Sequence, residues 1–155
     1  MSECSDCAVF VCGKGETERV PKNCPIVLNP LVDTREIFAD PEIRTIAHAA
    51  AVVESRGYMH WTRVEETIEF ARAIGASKVG LAFCVGLRNE AKVYGKVLEA
   101  NGLEVVSIAC KAGAIPKEEI GIADHDKVRP GNLEVACNPV AQALVLNEAG
   151  TQLNL

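Results

Sequence analysis

Two kinds of hydrophobic spacing run along this chain, and they divide it. The second half carries two short apolar runs, Lys78 to Phe83 and Glu104 to Ala109, each bounded by turn residues. Apolar runs of about four to eight residues between turn signals read as buried strands. Between them, residues 87–101 keep helical spacing and stop at Asn101-Gly102, the expected helix end. Strand, helix and strand form one βαβ unit, which predicts parallel strands and a right-handed crossover. Pro139 to Ala149 reads as a last helix closed by Gly150, and Thr151 to Leu155 as the start of another strand.

The first half is spaced for helices. Asp33 to Ala39 reads as a short one. Asp40 caps a longer one, with Pro41 at the favoured first position and Gly57 as its stop. Ile43, Ile46, Ala47, Ala50 and Val53 supply its apolar face, and His48 is expected there as a partly buried structural residue. Thr62-Arg63-Val64-Glu65 is a capping-box pattern opening a helix that runs to Ile74. Trp61 is expected to plug the junction between the two helices, with His60 beside it as a surface or hinge residue. Ile26 to Leu31, interrupted by Pro30, reads as an extended connector. Pro116 to Glu119 reads as a short helix, and Asp124-His125-Asp126 as a solvated turn.

Composition narrows the picture. A chain of 155 residues, 48% hydrophobic and 24% charged, has the length and balance of one globular domain with a sizeable core. Aromatics make up 5%, so that core must be aliphatic. A net charge of −5 without a basic run excludes a nucleic-acid surface. Apolar runs fall short of the roughly 18 residues of a membrane span. The polar, cysteine-bearing start does not resemble a leader, so a cytoplasmic location is the default expectation. GxGxxG, Walker A and nucleophile-elbow patterns are absent, leaving a nucleotide site or a serine triad without sequence support.

Seven cysteines change the functional picture. In a reducing compartment, clustered thiols serve metals or catalysis more often than disulfides. Cys4, Cys7, Cys12 and Cys24 follow the spacing C-x2-C-x4-C-x11-C. Four thiolates suit tetrahedral zinc, and the same set also holds iron–sulfur clusters. The segment around them has little core of its own, so a metal would provide its folding free energy. Cys84, Cys110 and Cys137 fall at three junctions: two strand ends and a helix start. The carboxyl edge of a parallel sheet is where such folds place ligands. A helix N-terminus favours thiolate, and Arg88 and Lys111 lie close in sequence to add positive charge. Together the three would hold an iron–sulfur cluster or an open zinc site, or one would act as nucleophile and another resolve its disulfide. Burial as inert core thiols is the competing reading.

The stretches CAVFVCGKG, NCPIVLNP, YMHWTRVEE, GLAFCVGLRNEAK, CKAGAIPKEEIG, RPGNLEVACNPVAQA and LNEAGTQLNL resemble, as a set, a prokaryotic domain-of-unknown-function family of small cysteine-rich proteins. The resemblance covers essentially the whole chain. It implies that Cys4, Cys7, Cys12 and Cys24 match presumed zinc ligands, and that Cys84, Cys110 and Cys137 match the cysteines of the family's α/β portion. It implies no activity. It also implies a further strand beyond Leu155, bearing a cysteine and a histidine, so this chain reads as C-terminally short relative to that family.

The sequence therefore predicts an α/β protein with an N-terminal four-cysteine metal knuckle (residues 1–30). An α/β domain (residues 31–155) follows, with a helical middle and a small, mostly parallel sheet with flanking helices. A metal-binding protein with a structural zinc site leads. An iron–sulfur or thiol-dependent enzyme using Cys84, Cys110 and Cys137, with Arg88 a further catalytic candidate and the N-terminal knuckle an accessory, is the first alternative. A metal carrier or redox-sensing module, with a small molecule or a protein as partner, is the second.

Overall fold

The computed structural model describes residues 4–29 and 34–155. The chain forms two compact units, Met1–His48 and Ala49–Leu155. The first is built from short pieces. Single 3-10 turns cover Cys4–Asp6, Val11–Lys14 and Thr17–Arg19, followed by one-turn helices α1 (Pro25–Leu28) and α2 (Thr34–Ile37). Val11 is its one buried hydrophobic residue among those described. Phe10, Ile26, Leu28 and Phe38 are each more than half exposed.

Helix α1 corrects the extended connector expected over Ile26 to Leu31. Pro25 occupies the first helical position, where its fixed φ favours a turn and its missing N–H costs nothing. Asn29 Nδ2 then donates to Pro25 O at 2.7 Å and closes that turn. Pro30, Leu31 and the Asp33 start of the expected short helix lie outside the described residues.

Helix α3 (Pro41–Gly57) starts as its sequence predicts. Asp40 Oδ1 accepts the N–H groups of Glu42 at 2.9 Å and Ile43 at 3.1 Å. Its buried line is Ala49, Val53 and Gly57. Ile43 and Ile46 are exposed, and so is His48, which corrects its expected partial burial. The i, i+4 series from Ala49 defines the covered face, and position 48 lies about 100° of helical turn away from it. The Trp61 ring packs on Gly57, where an added Cβ would stand 2.5 Å from the indole. Helix α4 (Arg63–Ala73) opens on a complete capping box between Thr62 and Glu65.

Strands β1 (Lys78–Phe83) and β2 (Glu104–Ala109) match the two apolar runs, joined through α5 (Arg88–Ala100). They pair in parallel, from Lys78 opposite Glu104 to Phe83 opposite Ala109. After β2 come a long excursion, α6 (Pro139–Glu148) and the two-residue β3 (Leu153–Asn154), which is parallel to the start of β1. The order is β2-β1-β3. Val79 is buried with Ile68 and Ala71 of α4 and Leu98 of α5. Next to it, Gly80 lies so close to Leu146 of α6 that a Cβ would stand 2.9 Å from the leucine. Successive strand residues point to opposite faces, so α5 and α6 cover opposite sides of the sheet. The strand order therefore reverses at β1, and the carboxyl end of a strand at such a reversal is where open α/β sheets place ligands.

Candidate functional site

Cys84 stands at that reversal. It leaves β1 in an extended conformation and is followed by a 3-10 turn, Val85–Leu87, before α5 begins at Arg88. Its carbonyl accepts the Leu87 N–H at 2.8 Å. Cys84 and Arg88 are both exposed. Cys110 ends β2 and is 8% exposed. Its N–H donates to Phe83 O at 2.8 Å, continuing the ladder, and its sulfur accepts the Val85 N–H at 3.3 Å. The turn after Cys84 thus rests on the Cys110 thiol.

Cys137 is brought to the same edge by its neighbour. Asn138 N–H donates to Cys110 O at 2.7 Å. The Asn138 side chain caps α6 through the Ala141 N–H at 2.9 Å and donates to Ala112 O at 3.2 Å. One turn later Gln142 Nε2 donates to Phe83 O at 3.3 Å and Ile108 O at 3.1 Å, fixing α6 over the ends of both strands. Three thiol-bearing loops therefore meet along the carboxyl edge, with Cys110 buried and Cys84 and Cys137 exposed. Asn138 and Gln142, which hold the loops together, were not singled out from sequence. The Asn-Pro pair signalled a helix start and nothing of the partners across the sheet.

In the N-terminal unit, Cys7 is set apart by its backbone. Cys7 N–H donates to Cys4 O at 3.2 Å, closing the turn between the first two cysteines. Phe10 takes a left-handed conformation, φ 45°. The backbone N–H groups of Phe10, and next of Val9, lie against the Cys7 sulfur and hold its pKa below the ordinary thiol value. These amides favour the thiolate over the thiol. Cys12 lies in the following 3-10 turn, and Cys24 stands before α1 in an extended conformation. All seven cysteines are free thiols. Among the described residues no three His, Cys, Asp or Glu side chains are gathered closely enough to hold a metal ion, at either cysteine set. The N-terminal set supplies thiols, the donor type that zinc takes, without bringing them together.

The remaining candidates are surface features. His60 is exposed, and His125 Nε2 lies 3.5 Å from Asp126 Oδ2 in an exposed turn.

Fold and edge together define a small α/β protein with three thiol-bearing loops at the carboxyl edge of its sheet, where the strand order reverses. The chain belongs to the family described as "Protein of unknown function (DUF1847)", whose model matches residues 27–155. It is also similar to the uncharacterized protein MJ0455 of Methanocaldococcus jannaschii, at 37% identity over 153 residues, covering 99% of this chain and 73% of that protein. No solved structure matches the chain. The family match includes Cys84, Cys110 and Cys137 and begins after Cys24. Among the described residues no helix is long and apolar enough to cross a membrane.

Proposed function

We propose that this is a cytoplasmic metal-binding protein in which Cys4, Cys7, Cys12 and Cys24 hold a structural zinc ion. The observation that carries this reading is the Cys7 sulfur set against the Phe10 and Val9 amides, which favours the charge state a metal ligand needs. A near-absence of core supports it, since Val11 alone is buried among the described hydrophobic residues of that unit. Zinc bound by four thiolates would replace the hydrophobic burial this unit lacks. A reducing compartment suits a chain whose cysteines are all free.

Elemental analysis with a visible spectrum, on chain purified without oxygen, tests this. About one zinc per chain and no colour are expected, with Cys7→Ser losing the metal and Cys84→Ser keeping it. Iron with matching sulfide, or zinc unaffected by Cys7→Ser, would overturn it.

A second reading rests on a different observation, the convergence of the Cys84, Cys110 and Cys137 loops at the strand-order reversal. There the chain would act as a thiol-dependent or iron–sulfur enzyme, with exposed Cys84 as the reacting group and Arg88 nearby. Alkylation at neutral pH tests it: Cys84 should react at least ten-fold faster than free cysteine. A rate equal to that of free cysteine, in a protein without a visible chromophore, would reject it.

A further inference from the structure

The excursion between β2 and α6 contains more than turns. Residues 111–135 wall an open cavity of about 530 Å3, within the size range of small-molecule sites. Lys111, Lys117 and Arg129 supply three cations to its lining, against one carboxylate, Glu134.

That carboxylate is already engaged. Glu134 Oε2 pairs with Lys117 Nζ at 2.6 Å and accepts the Val128 N–H at 3.3 Å, while Oε1 accepts the Arg129 N–H at 2.6 Å. The Lys117 ammonium first, then the Arg129 and Val128 amides, hold its carboxyl below the usual range. Glu134 and Lys117 thus neutralise each other. The other two cations have no such partner. Lys111 Nζ donates to Val135 O, a neutral acceptor, and Arg129 is exposed with no ion pair among the described residues. In a chain of net charge −5, two uncompensated cations line one cavity.

We propose that this cavity binds a phosphate-type oxyanion carried on a small molecule. Arg129 offers the planar fork that matches an oxyanion, and Lys111 a point charge beside it. Val128 and Leu133 give apolar wall for the rest of the ligand. The site adjoins the thiols along the chain: Lys111 follows Cys110, and Val135 lies two residues before Cys137. The anchor depends neither on zinc nor on thiol reactivity.

Titration of the full chain with inorganic phosphate, followed by amide chemical shifts at constant ionic strength, tests the site. Saturable shifts are expected at Lys111 and over residues 128–135, and equal additions of chloride should produce none. Arg129→Gln leaves the fold's contacts intact and should weaken phosphate about ten-fold, the loss of one charge-assisted contact. Leu133→Glu, which adds a negative charge to the wall at an exposed position, should abolish binding. Cys84→Ser should bind phosphate as the parent does, which separates failure of the anion site from failure of the thiol reading. Absence of saturable shifts, or an unchanged affinity in both Arg129→Gln and Leu133→Glu, would overturn the proposal.

Discussion

Three acceptors converge on one ammonium at Lys127, whose side chain is 3% exposed. Its Nζ pairs with Glu118, with Asp124 at 2.9 Å, and with Asn132 O at 2.9 Å. Hydrogen bonds from this ammonium hold both carboxyls below their usual range, and the two carboxylates, Glu118 first, raise the lysine in return. Depressed carboxyl values contribute stability that is present above the unfolded pKa of about 4 and lost as pH falls through the folded values. The raised lysine contributes stability that is present below about pH 10.4 and lost as pH rises through its folded value. Lys127→Met should therefore lower the melting temperature most between about pH 5 and pH 10, and the gap should close on acidification. Melts of both proteins across that range check this, and a gap that stays constant down to pH 3 would disprove the ion-pair account. Nothing in the sequence marked Lys127, because its acceptors lie at separations of up to nine residues in an irregular loop without a period. Cys7 stood out in the sequence by its place in the cysteine cluster. The amides that favour its thiolate did not, because they depend on Phe10 adopting a backbone conformation that a phenylalanine seldom takes.

The elements were legible where local chemistry and periodicity agree. Strands 78–83 and 104–109 followed from apolar runs between turn residues, and α4 from a capping box that Thr62 and Glu65 complete. Disagreement arose where one local rule outweighed another, as at Pro25, whose position at a helix start prevailed over the extended reading of the residues after it. Gly80 shows what strand patterning leaves unsaid. A Cβ there would stand 2.2 Å from Asn154 Oδ1 and within 3.0 Å of two Leu146 methyls. Gly80→Ala must displace the Asn154 amide and the buried Leu146 side chain, and overpacking of this kind costs about 1–3 kcal/mol. Urea unfolding should show that loss, with faster amide exchange at Leu153 and Leu155. Parent-like stability would mean that α6 stands further from the sheet.

At the scale of the molecule, the strand order was the part the sequence could not provide. Hydrophobic runs announce strands, and a helix between two of them announces a parallel pair. Nothing local states on which side of β1 a third strand will lie, and β3 is only two residues long. Yet that placement creates the reversal at which Cys84 stands and to which Asn138 and Gln142 bring the other two thiol loops. The residues of the candidate edge were thus identifiable one by one, and their assembly came from long-range bonds. The same order leaves β2 with a neighbour on one side only among the described residues. Val105 to Ile108 is β-branched apart from Ser107 and carries no charge, so this border is a template for pairing with another copy. In concentrated solution the protein's colloidal behaviour should be governed there rather than by its net charge. Ser107 is exposed, and Ser107→Lys should raise the concentration at which light scattering begins, because a lysine on an open border disfavours a second strand.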